Sequence, residues 1–91
     1  MKCYIVCGGQ TGRAVIVGYD TTEPVVGEVV RLERARMVLY WSAECRGLLG
    51  LAANGPKTNT RLTPEVEATS CMCREWISVS EAAAAAVLSW E

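Results

Sequence analysis

Three arginines and a tyrosine in the middle of the chain are the side chains best suited to bind a ligand. Arg31, Arg34 and Arg36 lie within six positions of one another, and Tyr40 follows them. Guanidinium groups form paired hydrogen bonds with phosphates and carboxylates, and aromatic rings can stack on nucleotide bases. On a strand, Arg34, Arg36 and Tyr40 would share one face, because alternate side chains point the same way. The pattern suits a nucleotide or an acidic protein surface. It is also typical of a solvent-facing strand whose arginines pair with neighbouring glutamates.

A glycine-rich string near the N-terminus is a second candidate. Residues 8–12 read Gly-Gly-Gln-Thr-Gly, and similar strings hold phosphates where they join a strand to a helix. Here the string is followed by Arg13 and then by the β-branched run Val15, Ile16 and Val17. We therefore expect a hairpin turn between two strands. Arg13, at the end of this loop, completes the set of candidate ligand-binding residues.

The cysteines invite a metal interpretation. The chain has five of them, and on extended strands the pairs Cys3/Cys7 and Cys71/Cys73 would each share a face. Four thiolates from two neighbouring strands could hold zinc. However, the usual Cys-x-x-Cys knuckles are missing, and cysteine also serves as a small buried hydrophobe. We expect buried, reduced thiols and assign no metal or cofactor.

Composition limits the classes of function. The chain has 91 residues, 51% of them hydrophobic, and a formal net charge of -1. This size predicts a single domain over residues 1–91, and a balanced charge argues against direct nucleic-acid binding. Without histidine, the commonest general base is missing. Carboxylate pairs such as Glu65/Glu67 carry no mark of an acid–base dyad, so we do not expect an enzyme.

The elements that would position these residues are mostly strands. Apolar, β-branched runs predict strands over 3–7, 13–19 and 66–79, and 25–40 reads as two strands or one long bent strand. A short helix is predicted over 46–53, ended by Asn54-Gly55-Pro56. Ser78 and Glu81 fit a capping box before a final alanine-rich helix. The expected fold class is α+β, a small antiparallel sheet with the short middle helix and the C-terminal helix packed on one face.

Surface and compartment follow from the same patterns. The last helix carries an apolar stripe (Val79, Ala83, Ala86, Val87 and Trp90) that must dock on the sheet or on a second subunit. We expect the three tryptophans, Trp41, Trp76 and Trp90, to be core anchors. No apolar run approaches the roughly 20 residues of a membrane span, and no signal peptide is recognisable. These features predict a cytoplasmic protein without a membrane partner.

The order of the pieces resembles a family of small phage and prophage proteins known only as a domain of unknown function. Tyr4-Ile5-Val6 resembles its first strand, and Ala35 to Trp41 resembles its Ala-Arg-Arg-hydrophobic-x-Tyr-Trp segment. The short helix and the end of the chain match through three further pieces: Leu48 to Gly55, Pro64-Glu65-Val66 through Glu75-Trp76-Ile77, and Glu81-Ala82. Met37 stands where the family commonly has its second arginine, and Cys7 where an arginine often ends the first strand.

The resemblance implies a phage-encoded accessory protein in the host cytoplasm. Together with the size and the balanced charge, it favours a non-catalytic inhibitor that occupies a surface on a host defence protein, such as a CRISPR effector. A second hypothesis is an oligomeric sponge for a nucleotide immune signal, with Arg13, Arg34, Arg36 or Tyr40 as ligand contacts. A third is a structural or regulatory phage protein that binds itself as a homodimer.

Overall fold

The computed structural model of the protein describes residues 1–9 and 12–91. Two residues of the glycine-rich string, Gln10 and Thr11, lie outside the described residues. The elements, in chain order, are β1 (Lys2–Gly8), β2 (Ala14–Asp20), β3 (Val29–Tyr40), a 3-10 helix (Ala43–Cys45), α1 (Gly47–Asn54), β4 (Arg61–Leu62), β5 (Val66–Ser78) and α2 (Glu81–Ser89). The predicted strands and both predicted helices are therefore present. The 3-10 helix and β4 were not predicted.

The strands roll into a small antiparallel barrel. Their order is β2-β1-β5-β3-β4, and an additional pairing of β2 with β3 closes the first four on themselves. Gly18 permits this closure, because a Cβ atom there would lie 2.8 Å from the Leu32 Cβ and 3.0 Å from the Glu33 carbonyl oxygen. The molecule is mostly β with two helices, which is roughly consistent with the predicted α+β class, and its antiparallel sheet is closed into a barrel.

Buried side chains form two clusters on opposite sides of the strands. The lumen cluster fills the barrel, and Tyr4 meets Trp76 there edge to face, with ring centroids 5.6 Å apart. Its buried members are Tyr4, Val6, Ile16, Val30, Leu32, Ala35, Cys71 and Cys73. The helix-covered cluster lies outside the barrel, beneath both helices: Cys3, Ile5, Cys7, Val17, Val38, Cys45, Leu51, Ala52, Ala84 and Val87. Strand β1 contributes to both clusters and is therefore buried on both faces.

The end of α1 and the start of α2 have clear capping chemistry. Helix α1 ends before Gly55, as predicted. The side chain of Ser80 caps α2 by accepting a hydrogen bond from the Ala83 N–H at 3.1 Å. The prediction of Ser78 as the cap is wrong, because Ser78 is the last residue of β5 and pairs with Tyr4 of β1. The Ser80 hydroxyl also donates to the Ala53 carbonyl at 2.8 Å, joining the two helices.

Strand β3 is continuous but contains a bulge. Val17 of β2 pairs with Arg36, whereas Tyr19 pairs with Glu33, so β3 has one residue more than its partner across this interval. Arg34 lies inside the bulge in the left-handed region, at φ 51°. This arrangement agrees with the one long bent strand that was one of the two sequence interpretations. It also changes which side chains share a face.

Candidate functional site

The arginines that the sequence placed together differ in burial and in partners. Arg36 is only 6% exposed and lies against α2. Its Nε donates to the Thr63 carbonyl at 2.7 Å, and its Nη1 donates to the carbonyls of Val87 and Trp90. These last two carbonyls close the C-terminal end of α2, where the helix dipole favours a cation. Arg36 is therefore engaged by the fold.

Arg34 and Arg31 remain on the surface, each with a carboxylate partner. The Arg34 Nε lies 3.0 Å from Glu65 Oε2, and this hydrogen bond and charge raise the pKa of Arg34. The Arg31 Nη1 lies 3.3 Å from Glu33 Oε2. These ion pairs agree with the interpretation of Arg31 and Arg34 as a solvent-facing strand surface.

Arg13 and Tyr40 occupy other parts of the surface. Arg13 is exposed directly before β2. Tyr40 is exposed at the end of β3 and pairs with Arg61 of β4. A surface depression of about 490 Å³ is lined by Tyr40, Arg61 and Asn59. The neighbour of Tyr40 is therefore Arg61, a residue that sequence reasoning missed because β4 has only two residues.

The thiols are buried and divided between the two clusters. Strands β1 and β5 are neighbours, and each cysteine pair shares a face as predicted. Cys3 and Cys7, however, face the helices, whereas Cys71 and Cys73 face the lumen. Over residues 1–9 and 12–91, no group of three or more cysteine, aspartate or glutamate side chains is placed to hold a metal ion. The four-thiolate geometry considered from the sequence is thus not formed.

Burial sets the acidity of most of these thiols. It raises the pKa of Cys3 to about 11 and also raises the pKa of Cys7 and of Cys73. Cys45 differs: burial acts to raise its pKa, but hydrogen bonds from Thr60 and neighbouring groups outweigh burial and lower it. The Cys45 Sγ lies 3.1 Å from the Thr60 Oγ1. All five thiols are buried and free, as expected for small core side chains.

An apolar recess opens at one end of the barrel, and we name it the mouth. Its volume is about 360 Å³, and its lining is mainly apolar: Ile16, Ala35, Arg36, Met37, Thr63, Pro64, Val66 and Thr69. Met37 is 39% and Val66 50% exposed. The Arg34–Glu65 ion pair lies next to the mouth, because each of its residues directly precedes a lining residue. Arg34 precedes Ala35, and Glu65 precedes Val66. An apolar centre with a charged rim is the composition of a protein-binding surface.

The wall of the mouth is fixed by hydrogen bonds to β3. The Met37 N–H donates to the Thr63 Oγ1 at 2.8 Å, and the Thr63 N–H donates back to the Met37 carbonyl at 3.0 Å. Arg36 holds the Thr63 carbonyl from the opposite side. The segment leading into Pro64 is therefore held in place without a ligand. No site was predicted at this segment, although apolar Val66 between Glu65 and Glu67 was a signal of an exposed apolar surface.

Residues 1–90 match the family described as "Domain of unknown function (DUF6948)". The chain belongs to this family. No curated protein and no solved structure matches it. In this DUF6948 chain Met37 lines the mouth and Cys7 lies in the helix-covered cluster, so neither position offers a cation for an anion site.

A second recess lies on the helix-covered side of this DUF6948 domain, and we name it the tryptophan groove. Trp41 and Trp76 line it together with Leu48 and Leu49 of α1, and its volume is about 620 Å³. Trp41 packs against the helix-covered cluster and Trp76 against the lumen cluster, which confirms both as core anchors. The Trp90 Nε1–H donates to the Thr60 carbonyl at 2.9 Å. Among the helices of the described residues, none is long and apolar enough to cross a membrane.

Proposed function

We propose that this protein is a phage-encoded, non-catalytic binding protein that inhibits a host antiviral defence protein by occupying its surface. The observation that supports it best is the mouth, where exposed Met37 and Val66 surround an apolar recess with a fixed wall. Exposed apolar surface of this kind marks protein contact sites. The phage origin and the class of target rest on the family resemblance.

The test is an infection assay with a matched pair of variants. Bacteria with an active CRISPR system that targets a lytic phage are given the wild-type protein or a variant. We expect wild type to restore plaques and Val66→Lys to return plaque counts to the level without the protein, because a charge in the mouth opposes apolar contact. Val26→Lys is the control, since Val26 is 60% exposed in the turn before β3.

Two results would contradict the proposal. The first is that wild type restores no plaques against CRISPR or any other antiviral system in a panel. The second is that Val66→Lys and Val26→Lys both act like wild type while circular dichroism shows both folded, because the mouth would then be irrelevant to inhibition.

One observation favours a second candidate, the sponge for a nucleotide signal. Tyr40 and Arg61 bring an aromatic ring and a guanidinium group to the same depression, which suits base stacking and phosphate binding. Isothermal titration with a panel of cyclic dinucleotides is the test. Binding that is lost in Tyr40→Ala and Arg61→Ala but kept in Arg74→Ala supports this site. The absence of binding, or its retention in all three variants, excludes it.

A further inference from the structure

The N-terminal half of β5 has a strand neighbour on only one side. Strand β3 pairs with it from Val66 to Met72. On its other side, β1 pairs only from Cys73 to Ser78, and the last bond there runs from the Gly9 N–H to the Met72 carbonyl at 3.0 Å. Within the part of the chain that the structure describes, residues 66–71 therefore form an open strand edge.

Backbone alternation identifies the groups at this edge. Cys73 uses both its N–H and its carbonyl on the β3 side, toward Glu28 and Gly27, whereas the Met72 carbonyl points the opposite way. Consecutive residues of an antiparallel strand alternate in this direction. The N–H and carbonyl groups of Ala68 and Ser70 therefore point away from β3, along the open edge, where another strand could pair with them.

The edge adjoins the mouth and lacks the usual protection. Val66 and Thr69 belong both to this segment and to the mouth lining. Open edges are normally guarded by lysine, proline or a bulge, and residues 66–71 (Val-Glu-Ala-Thr-Ser-Cys) contain no lysine or proline. Their register with β3 is also continuous. The segment carries a single charge, on the exposed Glu67.

We infer that this edge binds an extended segment of a partner protein as an additional strand, with an apolar residue in the mouth and a lysine or arginine opposite Glu67. Added strands gain affinity from backbone hydrogen bonds and specificity from pockets for alternate side chains. A second copy of this edge fits less well, because residues 66–71 contain no lysine or arginine to place opposite Glu67. The inference rests on the proposed function, since it names the kind of surface recognised.

The test removes one backbone donor and keeps the ladder to β3. In Ala68→Pro the edge loses an N–H that points away from β3, whereas Ala68→Val at the same position retains it. Random heptapeptides displayed on phage are selected against the immobilised full-length wild-type protein, and the enriched peptides are synthesised. We expect alternating apolar and basic residues in these peptides, and Kd values at least about tenfold weaker for Ala68→Pro than for Ala68→Val.

A second readout does not depend on the variant being folded. Bound peptide should slow amide hydrogen exchange of Ala68 and Ser70 in the wild-type protein. Peptides N-methylated at the residue facing Ala68 should lose this effect. Equal affinity for Ala68→Pro and Ala68→Val with both folded, failure to enrich any peptide, or unchanged exchange at Ala68 and Ser70 would each overturn the inference. A wild-type dimer in analytical ultracentrifugation that Ala68→Pro dissociates would overturn the assignment to a foreign segment.

The infection assay separates this inference from the proposed function. If wild type and Ala68→Pro restore plaques equally, inhibition stands and strand addition is wrong as its mechanism. If wild type restores no plaques but the peptides protect Ala68 and Ser70, the edge is a binding site and the inhibitory role is wrong.

Discussion

The helix-covered side and the mouth are parts of one small barrel, yet their polar groups are satisfied in different ways. On the helix-covered side, side-chain donors meet backbone acceptors: Arg36 holds three carbonyls, Ser80 joins both helices, and the Trp90 indole binds Thr60. At the mouth, apolar side chains and a strand edge face solvent. The contrast is sharpest between two arginines only two positions apart: Arg34 is exposed inside the bulge, whereas Arg36 is buried against α2. It also predicts that stability depends on the first region and binding on the second.

The largest expected effect is at Arg36. Arg36→Ala removes three hydrogen bonds made by a side chain that is only 6% exposed, among them the bond to the Trp90 carbonyl just after α2, so we expect a loss of about 3 kcal/mol in unfolding free energy. Arg36→Lys should recover part of it, because one ammonium cannot reach all three acceptors. Urea denaturation measures both. A loss for Arg36→Ala no larger than that of an exposed arginine variant would remove the distinction between the regions.

The second-largest effect is expected from raised pH, which should lower the unfolding free energy through Cys3 on the helix-covered side. The pKa of Cys3 is raised from 9.0 to about 11, so the folded state favours the neutral thiol. The stabilisation that the neutral Cys3 thiol gives the folded state is complete below pH 9, falls by roughly 1 kcal/mol at pH 10, and is lost as pH passes 11. Urea midpoints at pH 8 and pH 10 measure the fall. Cys3→Ala should show a smaller fall than wild type, and an equal fall would locate the titrating group elsewhere.

The third-largest effect is expected at the N-cap of α2, where two serine variants can be compared. Ser80→Ala loses the bond to the Ala83 N–H and the tie to Ala53, so we expect about 1 kcal/mol of destabilisation. Ser78→Ala, at the position that the sequence suggested, should change stability by no more than about 0.5 kcal/mol. Thermal denaturation of the two variants decides between the positions. The reverse order would restore the capping box predicted from the sequence.

The smallest effect is expected at Arg34, on the mouth rim. Arg34→Ala should leave the urea midpoint nearly unchanged, because the ion pair with Glu65 is exposed. Arg34→Gly should be more stable than Arg34→Val, since only glycine adopts the left-handed conformation of the bulge without strain. Comparing the three midpoints sharpens the contrast with Arg36. A Val variant as stable as the Gly variant would show that the bulge can shift its register.

The local sequence pattern predicted much of the fold and little of the candidate site. Apolar β-branched runs and the alanine run located β1, β2, β5 and both helices, because local propensity and tertiary structure agree there. Nothing in the sequence around Arg34 indicates a bulge, because Arg34 and Arg36 are spaced as on a regular strand and no glycine lies between them. The burial of Arg36, the pairing of β2 with β3 and the two-residue β4 depend on distant partners. The mouth is lined by β2, β3, β5 and the segment before β5, so it can be predicted only once the register of these strands is known.

The double burial of β1 has a consequence for how the chain is made. Strand β1 leaves the ribosome well before its pairing partner β5 and its cover α2. Until β5 and α2 have been synthesised, the apolar segment of β1 from Cys3 to Cys7 can pair only with β2. This domain therefore folds only after α2 has emerged, at the slow rate expected when the essential contacts join elements far apart in the sequence. A nascent or truncated chain would expose β1 as a segment prone to aggregation or chaperone capture.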